Sequence, residues 1–301
     1  MSSPLTRAGT VALVGLPNAG KSSLLNQLLG SKLSIVTPFA QTTRERVIGI
    51  DTRDGVQMVF IDTPGIVRPA YLLHRSLIEL VEETIADADV VVLVTDASRA
   101  PPELEADVVA GLRRVPDRVT VAVNKADLAA ETQLSAHTAW AERTLRAPAV
   151  VVSAETGLGI EGLRKRIAER LPESPFLYPE DDMSSQPVRF FAAELVRETV
   201  FEQYSEEIPY SVAVRIEDFQ EAADPVRIRA IIYVERESQK GILIGKGGAA
   251  LRELGTRARL KIEEFIGARI FLELWVKVLP KWRKNPLELR RLGFPVPQET
   301  D

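Results

Sequence analysis

The chain contains no cysteine, only two histidines and three methionines, and aromatic residues make up 6% of its 301 positions. Without a thiol there can be no disulfide and no thiolate metal site, which suits a reducing cytoplasm. No apolar stretch approaches the length of a membrane span, and residues 1–10 carry no signal-peptide pattern, so the expectation is a soluble, cytoplasmic protein. His74 and His137 stand beside no nucleophile motif and are expected at the surface, as are Glu79, Glu82 and Glu83 on one helix. The net charge of −4 argues at first against a nucleic-acid partner. What remains is ample for packing: 45% hydrophobic residues can bury a full core and divide into two domains.

The strongest positive signal is GLPNAGKS, Gly15 to Ser22, set between the apolar run Val11–Val14 and the amphipathic SSLLNQLLG. A glycine-rich turn between strand and helix lets the backbone of Gly15, Leu16, Pro17, Asn18, Ala19 and Gly20 wrap a polyphosphate with its N–H groups inward. Lys21 adds a point charge for the β and γ phosphates, Ser22 offers a hydroxyl to Mg²⁺, and Ser23 opens the helix that Gly30 ends. A nucleoside triphosphate is the implied ligand.

A second β-branched run, Val119–Val123, ends in Asn124, Lys125, Ala126 and Asp127. A carboxylate there can accept from both N1–H and the exocyclic amine of guanine, a donor pair adenine does not present, so NKAD selects GTP over ATP. Between the two motifs, Val56–Ile61 leads into Asp62, Thr63, Pro64 and Gly65. Asp62 is placed near Mg²⁺, and the Gly65 N–H can sense the γ phosphate. Ala149–Val152 leads into Ser153, Ala154 and Glu155, whose backbone can meet the guanine carbonyl. In Gln41, Thr42, Thr43 and Arg44 one threonine hydroxyl should join Mg²⁺; Thr43 is favoured and Thr42 is the alternative. Asp54 and Gly55 form a hairpin turn between the strands flanking these segments.

Prolines at 172, 175, 179 and 187, with the acidic EDDMSS between them, mark a linker at 173–187. Before it (1–172) strands and helices alternate as in a doubly wound, mostly parallel α/β sheet of the P-loop type. After it (188–301) the pattern reads as a smaller α+β domain: a helix at about Phe190–Tyr204, strands Tyr210–Ile216 and Val226–Val234, two helices around Gly245 and a last strand Arg269–Val278. Ile244, Gly245, Lys246, Gly247 and Gly248 form a loop that can approach a sugar-phosphate backbone closely. Charge is segregated: residues 227–291 hold 16 Lys or Arg against 7 Asp or Glu, whereas 1–187 hold 19 against 24. The +9 field therefore coincides with the glycine loop, with Arg252 beside it, and RNA phosphates are the expected contact. Lys281, Arg283 and Lys284 join that set. Trp282 within KWRK is balanced between base stacking and packing, and Trp275 is expected inside.

Together GLPNAGKSSLLNQLLG, AQTTR, DTPG, NKAD and SAETGLG, followed by LPYSVAVRIE, VERESQKGILIGKGG and LELWVKVLPKW, resemble the Era family of bacterial GTPases from about residue 8 to 294. The resemblance implies a GTPase domain followed by a type II KH domain, with the tail helping to grip the 3′ end of small-subunit ribosomal RNA during 30S subunit assembly. It also implies slow GTP hydrolysis to GDP, because Ile66 follows DTPG where Ras-like enzymes carry a water-orienting glutamine. Lys21, Thr43, Gly65 and Asn18 then carry the reaction. Asn18 is open between a K⁺ ligand, as in potassium-activated relatives, and a loop-stabilising amide. A monomer with peripheral contact to the inner membrane is a further expectation. The competing reading makes the basic domain an adaptor for proteins or membrane surfaces.

Overall fold

The computed structural model describes residues 6–39 and 41–296; Ala40 of the AQTTR run and the two chain ends of the expected domains lie outside these. Its contacts fall into two compact units, one holding the chain up to Pro69 with Leu77–Ser185, the other Ala70–Ser76 with the chain from Gln186 onward.

The first unit is built in the order β1 (Arg7–Val14), α1 (Lys21–Leu29), β2 (Val47–Arg53), β3 (Val56–Asp62), α2 (Leu72–Asp87, whose first turn belongs to the second unit), β4 (Val90–Asp96), α3 (Ala106–Arg114), β5 (Val119–Asn124), α4 (Glu131–Leu145), β6 (Ala149–Val151) and α5 (Ile160–Arg170). The six strands form one sheet in the order β2-β3-β1-β4-β5-β6. All neighbours run parallel except β2 and β3, which pair antiparallel around Asp54 and Gly55, both at positive φ. Two consecutive left-handed residues give the turn whose twist matches a hairpin. Nearly every residue of β4 and β5 is buried, because a central parallel strand has helices on both faces and reads as a continuous apolar run. One face packs Ala12, Val14, Val91 and Leu93 against Val81, Val108, Leu112 and Trp140 from α2, α3 and α4.

β1 lies between β3 and β4, so the strand order reverses beside its C-terminal end. That is where a crevice opens in a doubly wound sheet, and where GLPNAGKS emerges. Residues 173–184 lie along the sheet: Ser174 N donates to Thr6 O (3.1 Å), Gln57 Nε2 to Tyr178 O (2.8 Å), and Ile50 N to Met183 O (2.9 Å).

The second unit contains α6 (Val188–Gln203), α7 (Ile208–Ser211), β7 (Ala213–Gln220), β8 (Val226–Val234), α8 (Glu237–Ile244), α9 (Ala249–Ile266), β9 (Ile270–Val278) and α10 (Pro286–Arg291). β8 is central, antiparallel to β7 and parallel to β9. Val196, Val200, Ile228, Ile232, Leu254, Ala258 and Ile262 join α6, β8 and α9 in one core. The expected strand at 210–216 starts later and runs to Gln220, because Pro209 sits at the start of a helical turn that occupies Ile208–Ser211. Proline has no N–H to lose at that position and its fixed φ suits the first turn.

Candidate functional site

Three hydroxyls converge on one carboxylate at the sheet crevice. Asp62, fully buried at the end of β3, accepts through Oδ2 from Ser22 Oγ (2.6 Å), Ser34 Oγ (2.8 Å) and Thr43 Oγ1 (3.4 Å), and Ser22 and Thr43 lie 3.1 Å apart. Thr42 turns away, to Thr37 Oγ1 and Phe39 O, so Thr43 is the threonine that faces the cluster. Asp62 Oδ1 is buried without a hydrogen-bond partner. A buried carboxylate with two hydroxyls on it is an all-oxygen donor set that fits a small hard cation such as Mg²⁺. Among the described residues no group of three or more His, Cys, Asp or Glu is placed to hold a metal ion.

Lys21 is 6% exposed, and its Nζ donates to Gly15 O (3.2 Å) and Leu16 O (3.1 Å). Burial lowers its pKa to about 8, opposed by the charge of Asp62. Burial in turn pushes the Asp62 carboxyl upward, against Lys21 and the three hydroxyls. Gly20 has φ 93°, and a Cβ there would stand 2.3 Å from Asn124 Nδ2, so a side chain at the helix start would be strained and would displace Asn124. A cleft of about 370 Å³ is lined by Asn18, Lys21, Ser22, Ser23, Thr43, Gly65, Arg99 and Lys125. Asn18, at φ 61°, donates to Pro38 O (3.3 Å). Thr63 Oγ1 donates to Leu13 O (2.8 Å) and Ile66 N to Gly15 O (3.0 Å), fixing the DTPG segment to β1 and the phosphate loop.

The NKAD residues divide their work. Asn124 is 1% exposed; its Nδ2 donates to Ala19 O (2.9 Å) and its Oδ1 accepts from Ala154 N (3.0 Å). It therefore ties the phosphate loop to the SAE segment. Lys125 takes the left-handed conformation and reaches Asp96 Oδ2 at 2.7 Å. Asp127 is exposed and accepts at Oδ1 from Ser153 Oγ (2.5 Å), which orients the carboxylate assigned to guanine. Glu155 is exposed beside it. Asp96 escaped the sequence reading, although its place at the end of β4, in register with Asn124, is the signal that finds it. Its own burial would raise its pKa, yet hydrogen bonds from Lys125 and Ser98 hold it below the ordinary carboxylate range.

Both histidines contradict their expected surface placement. His137 is fully buried, its ring nitrogens 3.0 Å from Thr95 Oγ1 and 3.1 Å from Arg99 O, and His74 is 7% exposed. Each lies on the inner side of an amphipathic helix, where a satisfied imidazole packs as readily as an apolar ring. Glu82 and Glu83 do face outward, and Glu79 is half-buried.

In the second unit, Gly245 (φ 69°, ψ 177°), Lys246, Gly247 (φ 58°) and Gly248 (φ 78°) turn the chain between α8 and α9. Lys246 and Gly247 are exposed, and Arg252 Nη1 braces the loop at Gly247 O (2.9 Å). From Gly248 and Arg252 a cleft of about 550 Å³ continues between α9 and β9, walled by Leu272 and Leu274. Trp275 contradicts its expected interior place, and Trp282, open between stacking and packing, packs. Trp282 is fully buried, its Nε1 donating to Ser211 O (2.9 Å) and its ring stacked on Phe294 at 5.8 Å, so it is not available to a base. Trp275 is 52% exposed on β9. Arg283 pairs with Glu235, leaving Lys281 and Lys284 as the exposed cations of the KWRK run.

A family model described as 50S ribosome-binding GTPase matches residues 10–125, and a KH domain model matches 207–283. The chain is 42% identical to the GTPase Era of Syntrophus aciditrophicus over 96% of its length and 95% of that protein's. It is 39% identical to the GTPase Era of Geobacter metallireducens over 98% and 100%. Among solved structures, a point variant of the Aquifex aeolicus Era bound to GDP·AlF4⁻ superposes with TM-score 0.90 at 37% identity, covering 97% of this chain and all of that one. Era in complex with MgGDPNP and nucleotides 1506–1542 of 16S ribosomal RNA gives 0.91 at 37%, with the same coverage.

Proposed function

The chain belongs to the Era family of GTPases, and from that premise we propose that it is a GTP-hydrolysing switch acting on the 3′ region of small-subunit ribosomal RNA during 30S assembly. The observation that carries the RNA half is the coincidence, within the basic stretch 227–291, of a Gly-Lys-Gly-Gly loop exposed at Lys246 and Gly247 with an open cleft beginning at its last glycine. Such a loop clamps backbone phosphates while the cleft admits unstacked bases. The proposed domain boundaries are those of the sequence, 1–172 and 188–301 joined by 173–187.

For the nucleotide half, Lys21 and the phosphate-loop amides hold the β and γ phosphates, Asp127 and Ala154 read guanine, and the Gly65 N–H meets the γ phosphate. Ser22 and Thr43, beside Asp62, would hold Mg²⁺, which would supply charge neutralisation for the phosphates. The Ile66 side chain has no polar atom to orient water, so positioning falls to the backbone of the switch segments and to Thr43. Asn18 lines the same cleft, and we assign it to a K⁺ ion; hydrolysis compared in K⁺ and Na⁺ tests this. We read the chain as a monomer, and any contact with the inner membrane as peripheral and carried by the basic stretch 227–291.

The test is a titration of full-length protein with the 3′ ribosomal RNA fragment at several salt concentrations. The Lys246→Asp/Gly247→Asp variant should lose tight binding, on the order of 100-fold or more, with a shallower salt slope. Unchanged affinity and slope, with retained binding to anionic vesicles, would favour the adaptor reading instead.

A further inference from the structure

Of the three hydroxyls on Asp62, two belong to segments the function already uses: Ser22 to the phosphate loop and Thr43 to the switch. The third, Ser34, has no role in the nucleotide chemistry above. It is 1% exposed, in the loop after α1, and donates to Asp62 Oδ2 at 2.8 Å.

Its backbone is clamped by a single side chain. Asn26 Oδ1 accepts from Leu33 N (2.9 Å) and Ser34 N (2.8 Å), and Asn26 Nδ2 donates to Ser34 O (2.8 Å). Both acceptor sites of the amide oxygen and one N–H are thus spent on one short stretch of backbone. Asn26 stands four residues after Ser22 on α1, so both side chains leave the same face of one helix. The helix delivers the Ser22 hydroxyl directly and the Ser34 hydroxyl through Asn26.

The two oxygens of Asp62 are therefore unequal. Oδ2 takes every hydroxyl, including the two assigned to the cation, and Oδ1 is buried and unpartnered. Thr43 sits on a segment expected to rearrange with the nucleotide, whereas the Ser34 contact is tied through Asn26 to the body of α1. A hydrogen bond to a buried carboxylate is charge-assisted and sets its rotamer as well as adding energy.

We propose that Ser34, held by Asn26, is a positioning residue that fixes the Asp62 carboxylate with Oδ2 beside Ser22 and Thr43, the two hydroxyls assigned to Mg²⁺. The inference rests on the assignment of Asp62 to the metal side, made under the proposed function. Groups that orient a metal's carboxylate partner without touching the metal commonly change metal affinity ~10–100-fold when removed.

The experiment follows release of a fluorescent GDP analogue from the full chain at stepped free Mg²⁺. Ser34→Ala should raise the Mg²⁺ concentration for half-maximal slowing of release by about tenfold, with release in excess EDTA unchanged. Ser34→Thr, which keeps the hydroxyl, should restore the midpoint. Asn26→Asp keeps the acceptor for the two N–H groups but loses the donor to Ser34 O, and should shift the midpoint the same way by less; it also stands in if Ser34→Ala does not fold. An unmoved midpoint in both variants, or release accelerated equally with and without Mg²⁺, overturns the proposal. If wild-type release does not respond to Mg²⁺ at all, the metal assignment of Asp62 fails, and this inference with it.

Discussion

Among individual side chains, identical residue types serve opposite ends, and burial decides which. Trp282 lies in a run of cations that looks made for RNA, yet its ring is enclosed and its indole N–H satisfied by Ser211 O. Trp275 sits in an apolar strand and is half exposed, because alternate residues of β9 face away from α6 and α9. Trp282→Ala should therefore cost ~3–5 kcal/mol in urea unfolding, and Trp275→Ala no more than ~0.5 kcal/mol. Comparable losses in the two would contradict the burial assigned to each. Asn124 gives the same lesson within a known motif: its type could be read from NKAD, but its bridge from Ala19 to Ala154 needs atoms 105 and 30 residues away.

Among secondary-structure elements, the loop between α8 and α9 concentrates the demand for glycine unevenly. Gly245 adopts a combination of φ and ψ that only glycine tolerates, and a Cβ there would lie 2.7 Å from Ala250 Cβ. Gly247 is left-handed, but a methyl group on it would meet nothing within 4 Å. Gly245→Ala should thus lower the thermal midpoint by the equivalent of ~1–3 kcal/mol, while Gly247→Ala costs about 1 kcal/mol. Thermal melts of both variants check the order, and a larger loss at Gly247 would refute it. Helix α1 shows the complementary case, where a regular element aligns Ser22 and Asn26 on one face simply by its pitch.

Over the full chain, net charge misleads because it averages a basic stretch with the acidic segments around it. The −4 total conceals a +9 stretch at 227–291, and the acidic half carries the nucleotide chemistry. A catalytic centre with Ile66 in place of a water-orienting side chain should turn over slowly alone and faster when its RNA or the 30S subunit is bound. Single-turnover GTP hydrolysis by the full chain should rise ~10-fold or more on adding that partner. Equal rates with and without it would separate hydrolysis from RNA binding. Nothing in this requires a membrane; no helix among the described residues is long and apolar enough to cross one.

The ligand class, the order of the nucleotide motifs, the basic glycine loop and the hairpin at Asp54 and Gly55 all follow from amino-acid order alone. Each rests on neighbours within a few residues and on strand-to-helix turns with local periodicity. Folding in three dimensions was needed to establish that His74, His137 and Trp282 are buried, that Asp96 holds Lys125, that Thr43 rather than Thr42 meets Asp62, and that Ser34 completes the carboxylate's shell. Each of those facts joins residues distant in the chain, and a hydroxyl or an imidazole carries no local mark of which distant partner will satisfy it.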